Sequence, residues 1–291
     1  MNLLIDASNI MHRSYWIANK DSVDADHNYQ IYLFLKSLKG YCDRFKPTSV
    51  YCVWDDNLDT TVKCFREELH GDTYKANRDP AVRERVYECF DKLKAMITSL
   101  GCLNIFPFAL EGDDVIAFLC EYLEGHKMIV SADRDLLQLV NQHIHFFNVN
   151  KKLVIDPINF KDEYEIDLID YVQYKCLAGD PADNIPKVLT PAKVKKFFKG
   201  ELKLNEEQQK QYDINFLLTS LYKSYERQPG EYHRMIQQMD NAKKQGNFKE
   251  FLALCSASNM KSIANTSDDW RSTFFTSKSL TDIVNRLNMP K

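Results

Sequence analysis

Lys127-Met-Ile-Val-Ser-Ala-Asp-Arg-Asp135 is a short apolar run that stops at two carboxylates. A run of this length reads as a buried strand, Lys127–Ala132. The same event occurs three times upstream. Leu3–Asp6 ends on Asp6, Ser49–Asp55 ends on Asp55 with Asp56 behind it, and Leu103–Phe108 leads into Glu111-Gly112-Asp113-Asp114. Helical patterns lie between, over Tyr29–Phe45, Pro80–Leu100 and Asp113–Leu123. In the second, Val82, Val86, Phe90, Leu93, Ile97 and Leu100 share one stripe, and Asp79-Pro80 supplies an N-cap and a first-turn proline. Strands alternating with helices predict an α/β fold with a mostly parallel central sheet flanked by helices. His143–Val149 and Lys152–Ile155 read as two more strands.

After about residue 160 the pattern is helical, over Asp167–Leu177, Pro191–Phe198, Glu206–Arg227 and Glu231–Lys244. The expected division is therefore an α/β core over 1–160 and a helical part over 161–291. Asp56–Asp79 carries neither periodicity. A connection of that length inside a domain is usually functional or disordered.

Composition removes several classes. The 291 residues fit one large domain or two modest ones, and 44% hydrophobic residues suffice for a core. No apolar stretch approaches the ~20 residues of a membrane span. The start, Met-Asn-Leu-Leu-Ile-Asp, has no basic segment and meets Asp6 early, so a cytoplasmic protein without a signal peptide is expected. The eight cysteines are scattered, which fits reduced, buried thiols and neither a disulfide framework nor a zinc site. Among nine glycines the closest two are Gly101 and Gly112. That spacing excludes dinucleotide-binding and Walker A loops and the hydrolase nucleophile elbow.

In an open α/β sheet the ligand crevice lies off the carboxyl ends of the strands. Four strand ends can thus deliver Asp6, Asp55, Glu111, Asp113, Asp114, Asp133 and Asp135 to one place. Gly179-Asp180-Pro181-Ala182-Asp183-Asn184 adds a later acidic pair. Each alone has an ordinary reading: Asp6 as a turn residue, Asp113 and Asp114 as first-turn helix acids, Asp133-x-Asp135 as an N-cap pair, Asp180-Pro181 as a turn. Jointly they outweigh coincidence. Close carboxylate pairs cost on the order of 1–4 kcal/mol, so a cluster needs a compensating cation. With few histidines and no nearby thiols, oxygen-only ligands point to Mg²⁺ or Mn²⁺. Two such ions ~4 Å apart can activate water and hold a phosphoryl group in transfer.

The net charge is −3, but taking those nine acids from the 41 leaves 32 against 38 basic residues, a balance of +6. From 187 to 203, Lys187, Lys193, Lys195, Lys196, Lys199 and Lys203 face only Glu201. A basic exterior around an acidic pocket suits a polyanionic substrate.

Tyr74-Lys75-Ala76-Asn77-Arg78, Glu111-Gly112-Asp113-Asp114, Ser131-Ala132-Asp133-Arg134-Asp135 and Gly179-Asp180-x-x-Asp183-Asn184 follow in that order. Over roughly residues 1–200 this set resembles the flap endonuclease / 5′→3′ exonuclease family, especially its compact bacteriophage branch, which includes phage 5′ exonucleases and phage ribonuclease H. The resemblance implies a PIN-like 5′ nuclease core, a helical arch in the region 56–90, and a helix–turn–helix over about 175–200 that grips duplex. It implies two Mg²⁺ ions, replaceable by Mn²⁺. The first position is held by Asp6, Asp55, Glu111, Asp113, Asp114 and Asp133, the second by Asp135, Asp180 and Asp183. Asp6, Asp113, Asp114 and Asp133 would serve catalysis most directly. Lys75 and Arg78 would face the scissile phosphate and offset developing charge, and Tyr74 would stack on a base. Lys187, Lys193, Lys195 and Lys196 would contact duplex phosphates. The family's glycine-rich turn reads Lys187-Val188-Leu189-Thr190-Pro191-Ala192-Lys193 here, so lysine side chains take over part of that contact.

The implied activity is hydrolysis of DNA or RNA·DNA hybrid near 5′ ends, flaps or junctions during DNA replication, by a monomer. For a phage-encoded chain the place of action is the host cytoplasm. A single-strand-binding protein or a sliding clamp is the implied kind of partner. Phe274-Phe275 faintly resembles a clamp-binding peptide but lacks its glutamine and aliphatic anchor, and reads better as core. Rival readings are a PIN-type ribonuclease, a phosphatase with Asp133 as nucleophile, and a non-catalytic junction-binding protein.

Overall fold

A parallel strand must be covered on both faces, and the run from Lys127 meets that demand with every residue buried. In the computed structural model, residues 1–20, 26–55, 64–71, 74–75, 80–241 and 246–275 are described. The strands are β1 (Asn2–Asp6), β2 (Ser49–Val53), β3 (Leu103–Ile105), β4 (Lys127–Ser131), β5 (Ile144–Asn148) and β6 (Leu153–Ile155). They form one sheet in the order β3-β2-β1-β4-β5-β6. The first five are parallel and β6 runs antiparallel to β5. The expected α/β architecture with its central sheet is thus present. The order reverses between β1 and β4, and the ligand crevice of such sheets opens at that switch point.

Period-2 alternation sorts the core. Leu3, Ile5, Cys52, Met128 and Val130 face one side, where Ile10, Phe34 and Leu93 from helices Ala7–Ala18, His27–Phe45 and Phe90–Ser99 cover them. Leu4, Val53, Ile129 and Phe146 face the other, under helix Gly112–Tyr122. The late helices return to the sheet on both sides. Phe251, Cys255 and Trp270 join the first core, and Met235 and Met239 the second. Phe274 stacks on Trp270 with centroids 6.1 Å apart, and Phe275 meets Phe248 edge-on at 5.2 Å. A third, small core of Leu177, Leu189 and Val194 holds helices Tyr171–Ala178 and Pro191–Phe198 together. Among the described residues no helix is long and apolar enough to cross a membrane.

Three expected elements are shorter than their patterns, because distant side chains take backbone groups at their ends. β3 stops at Ile105, where the Gln238 amide both accepts from Phe106 N and donates to Phe106 O, each at 2.8 Å. The stripe over Pro80–Leu100 is broken into Pro80–Tyr87 and Phe90–Ser99, and the buried Gln30 amide donates to Val86 O at 2.9 Å. The helix from Glu206 ends at Thr219. Its last carbonyls accept from Arg227 at Leu217, Arg66 at Leu218 and Gln138 at Thr219. Asp79, the expected cap of the second helix, lies outside the described residues.

Trp54 ties these layers together. It is fully buried, donates from Nε1 to Asn104 Oδ1 at 2.9 Å, and packs on Phe34, Phe90 and Phe106. Trp54→Ala should cost about 3–5 kcal/mol in urea unfolding. Ile169→Ala, at a residue 90% exposed, should stay within about 0.5 kcal/mol. A loss under about 1 kcal/mol at Trp54 would contradict this packing.

Candidate active site

Asp6 is the last residue of β1 and the N-cap of helix Ala7–Ala18, accepting from Asn9 N at 3.1 Å. Its second oxygen accepts from Ser131 Oγ at the end of β4. The same Ser131 Oγ accepts from Asp133 N at 2.9 Å, and Asn9 Oδ1 accepts from Ala132 N at 3.2 Å. β1 and β4 are therefore tied to one another where the strand order reverses. Asp55, two residues past β2, donates its N–H to Ser8 Oγ at 2.7 Å. Its Oδ1 accepts from Gly112 N, also at 2.7 Å. A Cβ on Gly112 would lie 2.7 Å from that oxygen, so glycine lets the helix N-terminus approach the carboxylate.

Asp113, on the first turn of that helix, completes the group. Asp6, Asp55, Asp113, Asp133 and Asp135 act on one another electrostatically, and Asp183 acts on Asp133. Burial and then the Asp55 charge push the Asp6 carboxyl up to about 8. Burial and then Asp135 push Asp133 up to about 6. Asp113 lies well above the usual carboxylate range, through burial and then Asp133 and Asp6. Such shifts mark a local shortage of positive charge.

Three cations of the chain relieve part of it. Arg66 is buried, 2% exposed, and holds Asp114 bidentately, with Nη1 to Oδ2 at 2.6 Å and Nη2 to Oδ1 at 2.7 Å. Its Nη1 also reaches Glu111 Oε2 at 3.1 Å, and its Nε donates to Leu218 O at 2.8 Å. Glu111 accepts further from the Tyr74 hydroxyl at 3.0 Å and from Lys75. Burial alone would raise the Glu111 carboxyl, but Lys75 and Arg66 hold it down to about 2. Lys175 lies 2.7 Å from Asp135 Oδ1 and 2.6 Å from Asp180 Oδ2. Burial would likewise raise Asp180, and Lys175 keeps it below the usual range.

The expected residues are thus brought together in part. Asp114 does not join the cluster: consecutive helical side chains diverge by about 100°, so with Asp113 in the crevice Asp114 points inward onto Arg66. Glu111 and Asp180 border the cluster with their oxygens turned to Lys75 and Lys175. The Tyr74 ring is buried, so stacking on a base requires the Glu111 contact to open. Lys187, Lys193, Lys195 and Lys196 are exposed on or just before helix Pro191–Phe198. The turn before that helix folds tightly at Gly179 (φ +71°), where a Cβ would meet Lys187 N at 2.6 Å. Buried Asn215 fastens the turn by donating to Cys176 O and Pro186 O. Arg78 and Asp56 lie outside the described residues.

Sequence reasoning missed Arg66, Lys175, Ser131 and Asn215. Arg66 stands 45 and 48 residues from its acidic partners, with no local pattern to link them. Lys175 lies in the last turn of helix Tyr171–Ala178, where a cation is ordinary on dipole grounds alone.

The donor set fits a hard divalent cation. It is all oxygen, and it is short of positive charge where three carboxyls are pushed up. Among the described residues no three potential ligands converge on one point, and Arg66, Lys75 and Lys175 hold oxygens of Glu111, Asp135 and Asp180.

A mostly parallel sheet of this order, with acids at its switch point, is the PIN-like 5′ nuclease fold. Residues 1–165 match the family model described as 5′-3′ exonuclease, N-terminal resolvase-like domain. The chain belongs to that family. It is 27% identical over 191 residues to a 5′-3′ exonuclease of Buchnera aphidicola, covering 64% of each chain. With a 5′-3′ exonuclease of Bacillus subtilis it shares 34% identity over 161 residues, 53% of this chain and 52% of the relative. The matches thus span less than two thirds of these curated relatives' own length. In fold, the chain is similar to the T5 D15 protein co-crystallised with metal ions, with a TM-score of 0.64 at 16% identity over 87% of this chain and 99% of that one.

The crowded acids give a pH dependence of defined sign. A carboxyl raised in the folded state stabilises the fold below its unfolded value near 4 and loses that contribution as pH rises through the folded value. With Asp6 near 8 and Asp133 near 6, metal-free protein should lose stability from about pH 5 to about pH 8.5. Asp113→Asn should flatten that slope, and Mn²⁺ should restore stability at the alkaline end. Urea unfolding in chelator is the measurement; stability that rises across this interval would contradict the cluster.

Proposed function

We propose that this chain is a divalent-cation-dependent 5′ nuclease that hydrolyses phosphodiester bonds of DNA near 5′ ends, flaps or junctions. The observation that carries the reading is the meeting of Asp6, Asp55, Asp113, Asp133 and Asp135 at the switch point, edged by Lys75. Family membership supports the same class of reaction. We assign Mg²⁺ as the cation, two ions in number, with Mn²⁺ able to replace it. When bound, they supply charge to a phosphoryl group and make hydroxide available at neutral pH.

The chain's own groups then divide the work. The hydrogen bonds through Ser8, Ser131 and Gly112 fix three strand-end acids, Asp6, Asp55 and Asp133, before substrate arrives, so little reorganisation of these remains. Water adds to phosphorus while the bond to the 3′ oxygen breaks, leaving a 5′-phosphate and a 3′-hydroxyl. Lys75 exchanges Glu111 for a phosphate oxygen and offsets the charge that develops there; Arg78 is assigned the same task. Tyr74, released with Lys75, is free to stack on a base. Lys187, Lys193, Lys195 and Lys196 meet the duplex backbone. The functional division is a nuclease core to about residue 160 and a helical, duplex-binding part after it.

Activity on RNA·DNA hybrid, a role in replication with a single-strand-binding protein or clamp, a monomeric cytoplasmic state and membership of the phage branch belong to the same proposal.

A 5′-flap duplex labelled at both ends should be cut near the junction or degraded from the 5′ end when Mg²⁺ is present. EDTA and Asp133→Asn should abolish cleavage. Lys75→Ala should lower the rate about 10²- to 10³-fold, as loss of one transition-state donor does. Tight junction binding without turnover in Mg²⁺ or Mn²⁺ would replace this reading with a binding role. A preference for single-stranded RNA, indifferent to Lys75→Ala, would favour a PIN-type ribonuclease.

A further inference from the structure

We propose that Lys175 is a built-in counter-ion of the second cation position, and that a divalent ion must displace it from Asp135 and Asp180. The inference rests on the two-cation reading above. Lys175 projects from helix Tyr171–Ala178 and its side chain is 15% exposed. The two carboxylates it joins come from separate elements. Asp135 opens the 3₁₀ turn Asp135–Leu139 after β4, and Asp180 follows the lysine's own helix. One ammonium thus links the end of β4 to the tight turn at Gly179.

The two contacts are close ion pairs of similar length. Asp180 Oδ2 accepts a hydrogen bond from Nζ at 2.6 Å. Asp135 Oδ1, 2.7 Å from Nζ, is buried and pairs with the same ammonium. A single positive charge between two carboxylates leaves one negative charge uncompensated, and the charges of Asp135 and Asp183 both act on neighbouring Asp133. A divalent ion balances the pair; the ammonium and the ion cannot share the place.

Lysine suits a displaceable role. Its charge is a compact head on a flexible four-carbon stem that can swing to water. Arg66 is the opposite case, with its planar fork buried and filled by Asp114, Glu111 and Leu218 O. Among the described residues, Arg66 is thus a permanent cation at the first group of acids and Lys175 an exchangeable one at the second. Lys175 raises the divalent-ion concentration at which the second position fills, while keeping Asp135 and Asp180 in place when it is empty of metal.

The test is Mn²⁺ binding to the full chain, followed by calorimetry and by the loss of the free-ion electron paramagnetic resonance signal. Wild type is compared with Lys175→Met. The variant should bind its second Mn²⁺ at least about tenfold more tightly, the low end of what a removed adjacent charge does to proton affinity. Its first binding step should be unchanged. A second readout needs no variant: amine-reactive labelling of wild type, quantified by mass spectrometry, should rise at Lys175 when Mn²⁺ saturates the protein. An unaltered or weakened second step in folded Lys175→Met overturns the inference alone, as does Lys175 labelling that is indifferent to Mn²⁺. Absence of any Mn²⁺ binding in wild type overturns the two-cation reading and this inference with it.

Discussion

Repulsion among carboxylates at the carboxyl end of the sheet is the constraint on which the rest of the site depends. Burial first, and then the charges of neighbouring acids, Asp55 and Asp135 among them, raise the proton affinity of Asp6, Asp113 and Asp133. A fold driven only by stability would not gather them. Around them the chain places Arg66 and Lys75 on carboxylates at the border of the cluster, and Lys175 between Asp135 and the bordering Asp180. The cations stabilise the rim and leave the centre short of positive charge. That imbalance is what the proposed divalent cation would relieve.

Rigidity and exchange are distributed accordingly. The acids of β1, β2 and β4 are tied by short hydrogen bonds to Ser131, Ser8 and Gly112, all part of the packed sheet and its first helices. Lys75 adopts a left-handed backbone (φ 54°), a strained setting for a residue with a side chain, and rests on Glu111. Arg66 belongs to the rigid set. Breaking a buried pair such as Arg66–Asp114 from one side typically costs 3–5 kcal/mol, because the remaining charge stays desolvated. The same arginine closes the helix Glu206–Thr219 at Leu218 O. Glu111, Asp114 and the late helices are thereby joined through one guanidinium.

What was legible in the sequence follows the range of the interactions. The strands could be read because an apolar run followed by an acid is a local signal, and the acids at their ends came with them. Asp114 is instructive. It sits one turn before Phe118 on the buried stripe of helix Gly112–Tyr122, so helical phase alone places it inward; the adjacent Asp113 and the acidic motif masked that signal. The ends of β3, of the helix Pro80–Tyr87 and of the helix Glu206–Thr219 were illegible for another reason. Gln238, Gln30, Gln138 and Arg66 take backbone groups far away in the chain, and no propensity or period encodes such a partner. Lys175 was hidden by being ordinary where it stands, in the last turn of a helix.

The central claim is that the crowded acids await a divalent cation, and proton release on binding tests it most directly. Mg²⁺ titrations near pH 7, run in buffers of different ionisation enthalpy, count the protons expelled. With Asp6 near 8 and Asp113 above the usual range, binding should expel about one proton or more, and the number should fall as pH approaches about 9. Asp113→Asn should lower it. Binding without proton release, or no binding at all, would contradict the account.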